Sequence, residues 1–235
     1  MDLPDIAANT PLWLALVTTF VAAISGAILG RTPGKVHYDI VGIVVFAFFL
    51  GLGGGITRDV LLGNLPPLAL RSPWYILAVL AAVVLVLLVG RWIPVDGWIF
   101  TILDALALAL YAVIAAQMAI DFELPDIGAI AVGFLAAIAG GVIVAVLRGE
   151  VPAILRPGEP YAILALLGAT AYVLLDEFSP AVAAFVCIGT VVALRLITLK
   201  WNVRTRGLRP IQQGAAAESS QNPNTGTASP EPPPV

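Results

Sequence analysis

Four charged residues interrupt otherwise apolar stretches of this chain: Arg58, Asp59, Asp104 and Arg195. At the centre of a membrane helix an Arg or Asp costs about 2.5–3.5 kcal/mol on insertion scales, so such groups face a protein interior or water and pair with something. Arg58 and Asp59 directly follow a glycine triplet, Gly53-Gly54-Gly55, and Asp104 lies in Thr101-Ile102-Leu103-Asp104-Ala105. The chemistry open to this set is electrostatic: a local field for an ion. No nucleophile has a matching base and no His/Cys/Asp/Glu group has metal-ligand spacing, so neither an enzyme, a cofactor nor a resident metal is expected. The single Cys187 reads as a small apolar helix residue. The single His37 reads as a solvated loop residue.

Glycines extend this pattern. Gly53-Gly54-Gly55 has a partial copy at Ala139-Gly140-Gly141, at a constant offset of 86, the separation of Gly54 from Gly140. At the same offset Gly63 matches Gly149, Pro66 matches Pro152 and Tyr75 matches Tyr161. Each glycine weakens a helix by roughly 1 kcal/mol relative to alanine. Paired glycine-interrupted segments in the two halves of a membrane protein point to a solute path. The expectation is a helix break at Gly53, Gly54 and Gly55 and another at Gly140 and Gly141. Freed carbonyls there would replace part of a cation's hydration shell. The competing reading is close helix packing, because Gly51 and Gly55 also satisfy the Gly-x-x-x-Gly pattern.

The elements that must carry these residues follow from composition. The chain is 60% hydrophobic and 11% charged, against about 45–50% and about 25% for a soluble domain. Seven apolar segments are long enough to approach a bilayer's thickness: about 11–30, 37–63, 73–91, 97–119, 125–149, 160–176 and 179–200. The expected fold class is an all-α polytopic membrane protein. Three spans in each half make the second half enter from the opposite side. The architecture is therefore two inverted three-helix repeats, about 11–91 and 97–176, with a seventh helix at 179–200. With the N-terminus outside, Arg31, Lys35, Arg91, Arg148, Arg156, Lys200, Arg204, Arg206 and Arg209 fall inside and only Arg71 falls outside. That bias predicts an outside N-terminus and a cytoplasmic C-terminus in the cell membrane, with lipids as the surrounding partner. Residues 1–206 form the membrane domain. Residues 207–235, rich in Pro, Ser, Asn and Gly, are expected to form a disordered tail. At a net charge of −3, no nucleic-acid partner is expected.

Adjacent residues on a helix point about 100° apart, so Arg58 and Asp59 are not expected to meet each other. Asp104 is the expected partner of Arg58 in a buried charge network of Arg58, Asp59 and Asp104. Arg195 is expected to snorkel to the headgroups. Thr18, Thr19, Ser25, Thr57, Tyr111 and Gln117 are scattered polar residues with no individual role assigned.

Gly53-Gly54-Gly55-Ile56-Thr57-Arg58-Asp59-Val60-Leu61 resembles the Gly-Gly-Gly-x-x-Arg-Asp-x-Leu signature of the prokaryotic trimeric intracellular cation (TRIC) channels. Leu103-Asp104-Ala105-Leu106 and Ala139-Gly140-Gly141-Val142 resemble that family's fourth-span and second-repeat motifs. The resemblance covers about residues 11–200. It implies a homotrimer, an ion path through each protomer bordered by spans 2 and 5, and potassium or another monovalent cation as the transported ion. Bacterial members often repeat Arg-Asp in the second half, where this chain has Val144 and Ala145. The leading expectation is thus a potassium channel. The alternative is a secondary transporter of a small solute such as glycine, for which inverted repeats with broken helices are an equally good frame.

Overall fold

The computed structural model describes residues 11–32, 37–92, 97–156 and 161–201. They belong to the first of two units, Met1–Thr205; the second, Arg206–Val235, which holds the whole of the expected tail, lies outside the described residues. The described residues are helical: α1 (Leu12–Arg31), α2 (Ile40–Leu61), a single-turn α3 (Leu68–Arg71), α4 (Pro73–Val89), α5 (Trp98–Asp121), α6 (Asp126–Leu147), α7 (Tyr161–Asp176) and α8 (Pro180–Lys200). Five are long and apolar enough to cross a membrane; α4 and α7 are shorter apolar helices.

Local chemistry sets the ends. Asp39 caps α2, its carboxylate accepting from Gly42 N–H at 2.9 Å, so the helix starts at Ile40 rather than His37, which is exposed. Pro73 opens α4 at a position where its missing N–H costs nothing. The ends of α2 and α6 are alike. Gly63 and Gly149 take φ of +69° and +65°, the left-handed conformation that favours glycine. Asn64 N–H then reaches back to the Asp59 carbonyl at 2.8 Å, and Glu150 N–H to the Ala145 carbonyl at 2.9 Å. All three correspondences, Gly63 with Gly149, Asn64 with Glu150 and Asp59 with Ala145, keep the offset of 86.

Arginines close other helix ends, where carbonyls lack partners. Arg31 donates to the Val86 carbonyl at 2.8 Å, near the end of α4. Arg148 donates to the Leu29 carbonyl, near the end of α1.

The core is built of small residues. α5 runs through the middle, and Ala105, Ala107, Ala109, Ala112, Ala115, Ala116 and Ala119 on it are all buried. α1 packs on α2 and α4, α2 on α6, α5 on α6, and α8 on α7 and α5. Large apolar side chains point outward instead, among them Leu88, Leu174 and Phe185. That inside-out distribution suits a solvent as apolar as the core.

Candidate functional site

At the crossing of α2 and α6 the two backbones nearly touch. A Cβ on Gly53 would lie 3.0 Å from Gly140 Cα, and one on Gly54 would lie 2.7 Å from the Ala136 carbonyl oxygen. Reciprocally, a Cβ on Gly140 would lie 2.9 Å from the Leu50 carbonyl oxygen. Gly54 and Gly140 are separated by 86 residues, and so are Leu50 and Ala136, so the contact is matched from both sides. The same relation holds at a second crossing: Gly26 abuts Ala47 between α1 and α2, and Gly133 abuts Ala112 between α5 and α6.

The expected helix breaks do not form. α2 is helical through Gly53, Gly54 and Gly55, and α6 through Gly140 and Gly141. Gly53, Gly54 and Gly140 instead create room for a neighbouring backbone. Gly55 has nothing within 4 Å of a built Cβ, and Gly141 has only the Tyr161 hydroxyl, at 3.8 Å. Those two face cavities.

Among the described residues, four cavities follow one another by shared lining residues. The first, about 180 Å³, is lined by Leu12, Arg58, Arg71 and Tyr75 among others. Arg58 and Tyr75 also line the second, about 20 Å³, together with Thr18, Leu52, Gly55 and Tyr111. Tyr111 is shared with the third, also about 20 Å³, whose walls include Gly54, Asp104, Gly140, Gly141 and Tyr161. Asp104, Gly141 and Tyr161 pass on into the fourth, about 220 Å³, which adds Val144, Arg148, Glu150 and Arg195. A water needs about 10–15 Å³ of such space, so the middle cavities hold one water-sized body each. Tyr111 stands between them, and its hydroxyl donates to the Gly51 carbonyl.

The second and fourth cavities carry matching walls. Thr18, Leu52, Gly55, Arg58 and Tyr75 on one side correspond at the offset of 86 to Asp104, Ile138, Gly141, Val144 and Tyr161 on the other. The charges differ. Arg58 and Asp59 do meet, contrary to expectation: Nε lies 2.8 Å and the nearer terminal nitrogen 2.7 Å from one carboxylate oxygen. The long arginine folds back along its own helix, so the backbone angle between neighbours does not separate their tips. The second Asp59 oxygen accepts from Leu68 N–H at 2.7 Å, holding the start of α3. The pair is buried, at 5% and 0% exposure, where a lone charge would be costly. Asp104 lines the third and fourth cavities, and Arg58 the first and second. Arg195 is 8% exposed and lines the fourth cavity. It does not snorkel; its guanidinium lies 5.4 Å from the centre of the Tyr161 ring.

At the rim of the fourth cavity Glu150 pairs with Arg148 at 3.0 Å and with Arg156 at 3.3 Å. Partial burial raises the Glu150 pKa, but hydrogen bonds and charge from the two arginines outweigh it and hold the carboxyl below its usual value. Tyr111, Tyr161, Glu150 and Arg195 gain their places here from tertiary packing. In the sequence Arg195 stands out as a charge in an apolar stretch, Tyr111 as one of several scattered polar residues and Tyr161 through the repeat of Tyr75, while Glu150 carries no such mark. Among the described residues no group of three or more His, Cys, Asp or Glu could hold a metal ion. Cys187 is buried and free.

A family model described as glycine transporter matches residues 12–91 and 101–177. An inner membrane protein of Escherichia coli K12, YadS of the UPF0126 group, is 32% identical over 199 residues, covering 82% of this chain and 93% of the relative. A UPF0126 membrane protein of Deinococcus radiodurans is 32% identical over 124 residues, 53% of this chain and 56% of that protein. Among solved structures, the TRIC channel orthologue from Rhodobacter sphaeroides aligns with a TM-score of 0.73 and 33% identity, covering 82% of this chain and 98% of that one. A TRIC structure solved to explain cation conductance aligns with a TM-score of 0.73 and 30% identity, covering 86% and 98%. A TRIC counter-ion channel of calcium release, at 14% identity and a TM-score of 0.52, shares the fold.

Proposed function

The chain belongs to the prokaryotic TRIC channel family, and on that premise we propose that it is a potassium-permeable channel with one ion path through each protomer. The observation that carries this reading is the row of four cavities, wide at both ends and narrow at Tyr111. Seven crossings in two inverted three-helix repeats would set the α2–α3 loop and the α6–α7 loop at opposite membrane faces. The matched contacts of Gly54 with Ala136 and Gly140 with Leu50 support such a twofold relation. The cavity row would then run from face to face.

In this reading the path is bordered by α1, α2, α5 and α6. Gly55 and Gly141 widen it, while Gly53, Gly54 and Gly140 hold its two halves together. The role first expected of freed carbonyls passes to the polar wall: Thr18, Tyr111, Asp104 and Arg58, the last held by Asp59. The conformation described is shut at Tyr111, because two single-water cavities cannot pass a hydrated cation. Three copies would form the homotrimer. The Lys and Arg distribution supports an outside N-terminus and a cytoplasmic C-terminus.

The test is purified protein in liposomes under a potassium gradient, with planar-bilayer recording alongside. Unitary potassium current steps are the expected result. Saturable glycine uptake without current steps would overturn the reading in favour of a transporter. Chemical cross-linking of the purified protein tests the trimer.

A further inference from the structure

Val144 stands where the offset of 86 places the counterpart of Arg58. In the first half, Arg58 and Tyr75 together line the narrow entry beside Gly55. In the second half, Gly141 and Tyr161 keep their places, but Val144 brings a buried apolar side chain. A guanidinium nevertheless reaches that wall. It comes from Arg195, on the helix that has no counterpart in either repeat, and it lies over the Tyr161 ring at 5.4 Å, within cation–π range.

We infer that Arg195 replaces the arginine missing at Val144 and sets ion selectivity and conductance at the wide end of the path. The inference rests on the channel reading above. Asp104 lines the same cavity, at the position matching Thr18 of the other end. Tyr161 lines it too, beneath the Arg195 guanidinium. The remaining charged groups of the cavity are Arg148, Glu150 and Arg156, which pair with one another at its rim. Asp104 alone would draw cations into the cavity, because walls of low dielectric strengthen the field of a lone charge. Arg195 offsets that field. The first half balances its entry with two neighbouring residues on one helix. The second half does so with two residues from different helices.

The experiment is planar-bilayer recording of the full-length protein and of Arg195→Gln, Arg195→Lys and Val144→Arg/Arg195→Gln. Arg195→Gln is expected to raise potassium conductance at low salt about twofold or more, an excess that fades as screening shortens from ~10 Å at 0.1 M to ~3 Å at 1 M KCl. Its reversal potential in a KCl gradient moves toward the potassium equilibrium value. Arg195→Lys keeps the original values, and Val144→Arg restores them in the Arg195→Gln background. An Arg195→Gln channel indistinguishable from the original overturns the inference. So does an Arg195→Lys channel as altered as Arg195→Gln, because the guanidinium's packing and not its charge would then matter. If Arg195→Gln does not assemble, Asp104→Asn reads the same balance with opposite sign, and low-salt conductance is expected to fall about twofold. Unchanged conductance there also overturns the inference. An original protein without any potassium current refutes the channel reading itself, and this inference with it.

Discussion

The Tyr111 hydroxyl on α5 donates a hydrogen bond to the Gly51 carbonyl on α2, and the tyrosine ring borders two cavities of about 20 Å³ each. The same ring lies 2.9 Å from where a Cβ on Gly54 would be. In the proposed path this one side chain would block by its bulk, and its tip fixes it in place. Tyr111→Phe removes the tip alone. A neutral hydrogen bond contributes about 0.5–1.5 kcal/mol, so the ratio of open to shut channels should rise about two- to tenfold. Dwell times in single-channel records measure it. Tyr111→Ala removes the bulk as well and should leave the path open for most of the recording. Equal open probability in all three proteins would place the gate elsewhere.

The glycines of the two clusters divide by what they face. Gly54→Ala and Gly140→Ala would push a methyl group into backbone oxygens of the opposite helix at 2.7 and 2.9 Å. Backbone cannot swing aside, and overpacking of this kind costs about 1–3 kcal/mol. That exceeds the helix-propensity gain of about 1 kcal/mol from alanine. Both variants should melt at lower temperature in detergent, and by similar amounts, because their contacts are matched. Gly55→Ala and Gly141→Ala meet open space or ordinary contact, so propensity decides and stability should hold or rise. Their effect belongs to the path, where each added methyl should reduce unitary conductance.

Much of the fold was legible in the sequence because its punctuation is chemical. Pro73, Pro125 and Pro180 stand at helix starts, and the polar groups between apolar runs fall in the connections. Gly63 and Gly149 follow the two helices they terminate. The site was less legible, for three separate reasons. Glycine weakens a helix and also allows another backbone to approach, and only the position of α6 against α2 decides between the two. Adjacent charges diverge at the backbone, yet an arginine is long enough to turn back, as Arg58 does to Asp59. Arg195 sits about one and a half turns from the end of its helix, close enough to reach headgroups, but α8 presents it to the cavity beside Tyr161 instead. Each of these outcomes depends on which helix lies opposite, a fact that spacing within one helix does not contain.

Asp59 holds both the Arg58 guanidinium and the Leu68 backbone N–H, so it ties the end of α2 to α3. Asp59→Ala strands a buried guanidinium, a loss of about 3–5 kcal/mol for a broken buried pair. Arg58→Met/Asp59→Asn removes both charges and keeps an acceptor for Leu68 N–H. It should recover most of the stability lost by Asp59→Ala. Thermal melting of the single and double variants forms the cycle. A double variant as unstable as Asp59→Ala would show that the ion pair is not the source of the loss.

The other connecting loop is held differently, and its chemistry makes it sensitive to acid. Where the first half has buried Asp59, the second has Ala145, and the loop after α6 is gathered by Glu150 between Arg148 and Arg156. Glu150 is about one-third exposed, so water screens these pairs and each contributes little alone. Its folded pKa lies below the ordinary carboxylate value. A depressed carboxylate pKa adds stability that is present above the unfolded value and is lost as pH falls through the folded one. The loop should therefore resist protease equally from pH 8 down to about 5 and open progressively below 4.5. Glu150→Gln should remove the acid dependence and leave the loop as open at pH 7 as the unmodified protein is in acid. Raised salt at neutral pH should loosen this loop and leave the Asp59-anchored one unmoved, because only the exposed pairs are screened. Hydrogen exchange at 148–156 and at 62–72 compares the two directly, and equal salt sensitivity would refute the proposed difference.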